Sequence, residues 1–371
     1  MGATYHVRVL ILLPPSEGKT APASGPSLDL DSLLDAERLT TARREVMSAL
    51  AGVSRSAEAA SVLGLGPRSA EQVGINLSLE TSPCVPAHRL FTGVLYEAAG
   101  LDSIRQVYDK KALYYQRYWD HETKLMRPVM ADGKFRTPFN PRFSAHEKSD
   151  YTEGNAYQWS FYAPHDMEGF LKLMGGKAVL EQNLDTLFTT SSRIDGAEQS
   201  GDITGLIGQY AHGNEPSHLI AYLYNYTDSP HKGQAILDTV LRHIYQPTPE
   251  GIIGNEDCGQ MSAWYIFSAL GFYPVCPATD QYAIGAPLFR RALLHLTNGR
   301  TVTLSAPANS DSCRYIGAIR IDGKSYTKTY FTHDELLQGP IISFDMRSQP
   351  VKTWGTGAGD VPYSFTNYNY R

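Results

Sequence analysis

Cysteine is scarce in this chain, with four residues in 371, at positions 84, 258, 276 and 313. None forms a C-x-x-C pair, so neither a zinc ribbon nor a disulfide framework is supported. Long apolar runs are also missing. The longest near the N-terminus, Val9–Leu13, meets Pro14-Pro15 at once, and is too short for a signal-peptide core or a membrane span. A buried strand is its better reading, and the expected location of the chain is the cytoplasm. There is no basic excess: 33 Lys and Arg stand against 38 Asp and Glu, for a net charge of -5. That balance removes the global electrostatic footprint of a nucleic-acid binder. P-loop, G-x-S-x-G and H-E-x-x-H motifs, internal repeats and low-complexity tracts are all absent.

What the chain does have is apolar and aromatic mass. Hydrophobic residues make up 42% and charged residues 19%, enough to build a packed core and too little charge for disorder. The 23 tyrosines and 4 tryptophans fall mostly after residue 90. Most suit a helical core, and some suit carbohydrate, whose C–H faces stack on rings while polar tips hydrogen-bond.

Composition shifts near residue 105, dividing the chain into residues 1–105, 106–275 and 276–371. The first part reads as a small α/β piece, with a strand at 7–13 and helices at 31–52 and 56–63. Residues 102–119, 157–174, 177–189, 216–226, 230–245 and 260–271 then carry helical spacing, with short loops that imply antiparallel pairs. Strands follow at Leu293–Leu296, Thr301–Leu304, Ile316–Ile321 and Ile341–Phe344. Asn298-Gly299 and Asp322-Gly323 are hairpin signals, so an antiparallel β end is expected.

Three loops concentrate carboxylate, amide and glycine just before a helix: Asp150–Asn155, Gly208–His218 and Gly254–Trp264. Taken singly, Glu153, Glu215 and Asp257 are each explicable as helix-capping carboxylates. Converging on one rim they would repel, unless a cation or a shared proton neutralised them. Asn, Gln and Glu oxygens are donors that a hard cation such as Ca²⁺ prefers, though no EF-hand loop is present. His165-Asp166 and His333-Asp334 read more simply as caps or structural contacts.

The segments ADGKFRTPFNP, DYTEGNAYQW, PHDMEG, GQYAHGNEPSHLIAYLYNY and GNEDCGQMSAWYIFSALGFYP occur in this order over residues 106–371. Together they resemble the signature blocks of glycoside hydrolase family 92. The resemblance implies a partial (α/α)₆ helical toroid with β elements, and a calcium-dependent, inverting exo-α-mannosidase acting on terminal mannose of glycans. It implies Glu153 as general acid and Asp257 as general base. Asn255 stands where some members carry a further Asp that helps to hold the attacking water. Asn214 and Glu215 fall in the block that supplies calcium ligands, and Trp159, His165, Asp166, Gln209 and His218 are expected at the sugar site. Leu219 replaces a second histidine seen in many members. The chemistry suits two carboxylates from different helix ends, because an inverting pair stands ~6.5–9.5 Å apart with a water between.

The N-terminal part resembles something else. Val9–Thr20 with its P-P-S-E-G-K-T block, Asn76 and Phe91–Tyr96 are similar to the start of the YaaA peroxide-stress family. This resemblance implies an alternative function, a cytoplasmic stress-response protein associated with DNA. Ser16–Lys19 reads as a plain strand-end turn, with an anion-binding turn as the alternative. Two partial matches meeting near residue 105 point to a junction of unrelated parts. Half a toroid exposes apolar helix faces, which predicts self-association, and leaves catalytic turnover in question. A non-catalytic carbohydrate-binding remnant is the third reading, separated from the first by an α-mannoside assay with and without calcium.

Overall fold

A computed structural model describes residues 102–368, apart from 146–147, 197–198 and 277–278. The expected strand at 7–13, the helices at 31–52 and 56–63 and the P-P-S-E-G-K-T block lie outside these residues. The chain divides into two units, residues 10–114 and the remainder. Of the first unit, α1 (Asp102–Ala112) is described.

The helix expected over 102–119 ends at Ala112 and gives way to a 3₁₀ segment, Leu113–Tyr118, which leads in the larger unit to a hairpin of β1 (Trp119–Asp120) and β2 (Leu125–Met126). The helix expected over 157–174 is two helices, α2 (Ala156–Trp159) and α3 (Met167–Met174). Between them, Asp166 starts a new helix by accepting from Gly169 N, so the apolar periodicity runs across a real stop. Helix α4 (Lys177–Thr189) matches its expectation residue for residue. After the β3 (Leu206–Ile207) and β4 (Tyr210–Ala211) pair, the expected helix 216–226 is instead two 3₁₀ segments, Glu215–Ser217 and Ile220–Tyr226. All seven residues of the second are buried, so packing on every side, rather than helical propensity, sets its winding. Helix α5 (Pro230–Thr239) runs into a π turn at Val240–Ile244, and α6 spans Gln260–Leu270. Among the described residues of this unit only α3, α4, α5 and α6 reach eight residues, so a ring of six helix pairs is not formed by them.

The β part is mixed, not purely antiparallel. It comprises β5 (Phe272–Tyr273), β6 (Gln281–Ile284), β7 (Arg291–His295), β8 (Thr301–Ser305), β9 (Tyr315–Ile321), β10 (Lys324–Tyr326), β11 (Tyr330–Thr332) and β12 (Ile341–Arg347). The larger sheet has the order β10-β9-β12-β8-β7, and the smaller β11-β6-β5. Strand β12 lies antiparallel to β9 but parallel to β8. Both hairpin signals hold. Asp322 and Gly323 take φ of 49° and 80°, the paired positive values of a tight turn whose twist matches its strands. The short strands β5, β6 and β11 lack the length that would make alternation visible.

Alternation along β12 places Ile342, Phe344 and Met346 on one face, against Phe272, Ile284, Phe331 and Trp354. The helical and β parts share one compact unit. Asn225 donates to Ile284 O at 2.8 Å, Gln234 Oε1 accepts from Ile316 N at 2.8 Å, and Tyr226 donates to Tyr363 O at 3.0 Å. Each bond satisfies a buried polar group across the seam, so the β part buttresses the helix ends that precede it.

Candidate active site

In the first and third loops another residue bonds the backbone at the helix start, which leaves the expected functional carboxylate outside that contact. In the first loop Asn155 is the N-cap of α2, and its side chain and that of Gln158 bond each other's backbone in a capping box. Glu153, two residues earlier, is exposed and takes φ of 51°, a conformation that costs a non-glycine residue about 1 kcal/mol or more. Trp159 Nε1 donates to Thr152 O at 2.7 Å and so anchors the loop behind Glu153. Glycine is required between them, because a Cβ at Gly154 would lie 2.9 Å from that indole nitrogen.

In the third loop the adjacent pair Glu256-Asp257 divides the work. Glu256 accepts from the backbone N–H groups of Gly259 and Ser262 at the start of α6. These bonds, with that from the Ser262 side chain first, hold its carboxyl below the usual range. Asp257 and Cys258 then take φ of 55° and 57° and are exposed. Asn255 is exposed as well, its Nδ2 3.1 Å from Asp202 Oδ1.

The second loop lies between the other two. Asn214 caps the Glu215–Ser217 turn through Glu215 N at 3.1 Å, and its Nδ2 reaches Glu153 O at 3.1 Å. Burial raises the Glu215 carboxyl above its ordinary range, its own backbone N–H opposes that rise, and the interaction of its protonated form with Asp257 and the charges of Asp257 and Glu153 add to it. Glu153, Glu215 and Asp257 therefore form one electrostatic cluster built from three separated loops. The Tyr273 hydroxyl also feels the Glu215 charge.

The residues expected to line a sugar are buried instead. Gln209 is fully buried, and its Nε2 donates to Ser191 O at 2.6 Å and Arg193 O at 2.9 Å, while its Oε1 accepts from Asn155 at 2.9 Å. With its amide spent inside the protein, it acts as a strut between loops. Asp166 is also fully buried, accepting from Tyr115 OH, Ser364 Oγ, Thr366 N and Gly169 N. His165 is buried edge-on to Tyr115, and Trp159 is 7% exposed. His218 is 2% exposed, and burial pushes it down to about 4, against opposing effects of the His212 carbonyl and Asp257. Replacing Asp166 by Ala strands four buried donors, so it is expected to cost about 3 kcal/mol of stability. Denaturant unfolding that shows a change below about 1 kcal/mol would count against that accounting.

Residues that sequence reasoning passed over include Asp202, Tyr273 and Gln260. Gln260 stands inside the G-Q-M-S-A-W block, but its partners are 42 and 13 residues away in sequence. A cavity of about 620 Å³ lies among residues of the 130–151 segment, walled by Met130, Phe139, Phe143 and Tyr151 with Arg136 and Asp150. One of its lining residues, Phe139, stacks under Arg127, which also faces Phe135 and bonds Asp120 Oδ2 at 3.0 Å. Among the described residues no three His, Cys, Asp or Glu side chains are grouped to hold a metal ion. An oxygen donor set of Glu215 with Asn214, in a cluster of uncompensated carboxylates, nevertheless fits a hard cation. No described helix is long and apolar enough to cross a membrane.

Comparison with known proteins agrees with the order of the motifs. The family model of the glycosyl hydrolase family 92 catalytic domain matches residues 94–348. A family GH92 alpha-mannosidase of Bacteroides thetaiotaomicron, solved in complex with mannoimidazole, is 35% identical with a TM-score of 0.71, over 76% of this chain and 37% of that one. A GH92 inverting mannosidase of the same organism is 32% identical with a TM-score of 0.68, over 90% of this chain and 46% of that one. An uncharacterized secreted glycosidase of Arthroderma benhamiae is 29% identical over 57% of this chain and 26% of its own length. The chain thus spans less than half the length of these relatives. The N-terminal region is similar to a UPF0246 protein of Corynebacterium efficiens, 38% identical over 96 residues. With a family model covering well over half of its residues, the chain belongs to glycosyl hydrolase family 92.

Proposed function

We propose that residues 106–371 carry the centre of a calcium-dependent, inverting exo-α-mannosidase that removes terminal mannose from glycans. The observation that carries this reading is the cluster of Glu153, Glu215 and Asp257, of which the first and last stand outside the helix caps of their own loops. The likeness to the alpha-mannosidase and the inverting mannosidase supports it. Residues 1–105 are proposed as a separate α/β segment, with 106–275 and 276–371 as the helical and β parts of the hydrolase.

In this reading Glu153 protonates the leaving oxygen as the glycosidic bond breaks. Asp257 takes a proton from the water that attacks the anomeric carbon on the opposite face, so the product inverts. Asn255, tied to Asp202, helps to place that water. Glu215 and Asn214 would hold calcium, which would supply positive charge to offset the cluster and Lewis acidity toward the sugar. Trp159, Gln209 and His218 fix the loops that carry these groups.

The direct test is hydrolysis of an α-mannoside followed by NMR of the anomer first released. The β anomer is expected. Release of the α anomer would remove the inverting assignment, and absence of hydrolysis with calcium present would remove the enzymatic one. Chelation is expected to lower activity by about 10²-fold or more, with recovery on adding Ca²⁺. The apparent calcium affinity should rise with pH: Glu215 holds its proton above the usual carboxylate range, so cation and proton compete until it ionises. A pH-independent affinity, read by titration calorimetry, would contradict the placement of calcium at Glu215.

A further inference from the structure

Gln260 has a role that neither its motif nor its chemistry as an isolated amide suggests. It lies three residues after Asp257, at the first position of α6. His218 lies three residues after Glu215, at the end of the Glu215–Ser217 turn. These two side chains meet, with Gln260 Nε2 3.1 Å from His218 Nδ1. The same nitrogen is 3.0 Å from Tyr273 OH. Three residues before each partner of this contact, therefore, stands one of two carboxylates, Asp257 and Glu215, and the Asp257 charge acts on Glu215.

The proton positions follow from the partners. His218 Nε2 is 3.1 Å from His212 O, a carbonyl that only accepts, so Nε2 carries the hydrogen. Nδ1 is then a bare acceptor in a neutral ring, as burial requires. An acceptor at Nδ1 needs a donor opposite, so the amide turns its NH₂ inward. Its two hydrogens serve His218 and Tyr273. Nothing in this contact is charged, so it is not screened by salt and does not add to the negative cluster.

The histidine is itself fixed on its other side. Trp264, on α6, donates through Nε1 to His218 O at 2.9 Å. The ring of His212 lies 4.3 Å from that of Trp264 and 5.1 Å from that of His218. Helix α6 is thus tied to the second loop twice, once through Trp264 and the backbone, and once through Gln260 and the imidazole. The Gln260 tie is the one nearer to Asp257 in sequence.

We propose that Gln260 is a positioning residue, an amide brace that sets the place of Asp257 relative to Glu215 by locking α6 onto His218. The proposal rests on the reading of Asp257 as general base. Like charges on neighbouring loops repel, so their spacing depends on how the backbone behind them is held. The cross-link from position +3 of one loop to position +3 of the other fixes that spacing. Loosening it displaces the base relative to the bound sugar, and a misplacement of about 1 Å costs on the order of 10²-fold in rate.

The test uses the full chain with Gln260→Met, similar in length but without N–H donors. On an aryl α-mannoside with saturating calcium, kcat is expected to fall about 10²-fold with KM within about threefold, at temperatures where the variant remains folded by circular dichroism. In an Asp257→Ala background the same substitution is expected to add nothing, because a residue acting through Asp257 has no further effect once Asp257 is gone. Imidazole ¹⁵N spectra give a readout independent of turnover, with His218 in the Nε2–H form and its Nδ1 signal moving in the Met variant. Tyr273→Phe, which keeps the Gln260–His218 bond, should retain most activity. A kcat within threefold of the parent, or losses that multiply with those of Asp257→Ala, would overturn the brace as a catalytic device. An unchanged Nδ1 signal would overturn its geometry. A parent chain inert toward mannosides would sink the function reading and the brace's catalytic role, leaving the spectra to decide whether the brace exists.

Discussion

Glu153→Gln is expected to lower kcat for an alkyl α-mannoside by about 10²–10⁴-fold, the usual contribution of a positioned acid. A mannoside whose leaving group is a nitrophenolate should lose much less, because that oxygen departs without a proton. The comparison between the two substrates is the measurement, and it separates an acid from a residue that merely shapes the loop. Glutamine is a fair replacement at φ of 51°, since it carries the same Cβ and Cγ and meets the same backbone cost. The bonds that set the loop, from Trp159 to Thr152 and within the Asn155–Gln158 box, do not involve the Glu153 side chain. Equal losses on both substrates would point to a structural effect and away from acid catalysis.

Asp257→Asn is expected to be the more severe change, with kcat falling by about 10⁴-fold on either substrate, at the upper end for a general base. Water has to be deprotonated whatever group leaves, so the loss should not depend on the leaving group. Asparagine adopts positive φ more readily than most residues, so the loop at φ of 55° has no reason to rearrange. Glu256, which caps α6, is untouched. Substitution also removes a negative charge from beside Glu215. Burial still raises Glu215, but the charge and hydrogen bond of Asp257 no longer add to that rise, so its ionisation should move down in pH. The rise of calcium affinity with pH, measured by calorimetry, should then occur at lower pH in the variant than in the parent. A loss confined to alkyl mannosides would reverse the roles of Glu153 and Asp257.

These two substitutions also mark how far the site was legible beforehand. The loops were visible because carboxylates, amides and glycines cluster there just ahead of helices. Which member of Glu256-Asp257 caps α6 was not, since neighbouring carboxylates have equal intrinsic preference for a helix start. The choice is made by a positive φ and by backbone groups that only the folded loop brings near. Gln209 was expected at a sugar because of its place in a segment that resembles a block of the family. Its partners Ser191, Arg193 and Asn155 are 18, 16 and 54 residues distant, and no local pattern reports them. Asp166 was expected at the sugar as well, and it serves Ser364 and Thr366 across 198 and 200 residues.

The fold follows the same division. Helix α4 was legible to the residue because its apolar spacing is uninterrupted and no competing cap lies inside it. The stop at Asp166 and the 3₁₀ winding of Ile220–Tyr226 were not, because both depend on burial against distant elements. Hairpin turns were read from two residues each. The parallel neighbour of β12 is a matter of which strands meet, and alternation carries no information about that.

The place of β12 has a consequence for how the chain is made. It is the middle strand of its sheet, with β10 and β9 on one side and β8 and β7 on the other. Until residues 341–347 leave the ribosome, the sheet exists only as two hairpins that have no bond to each other. Each presents an open edge during that interval, the kind of edge that recruits foreign strands. The last strand therefore arrives as a keystone, and its side chains Ile342, Phe344 and Met346 close the core. A ribosome stalled before residue 341 should display two protease-sensitive hairpins, and one stalled well beyond residue 347 a protected sheet.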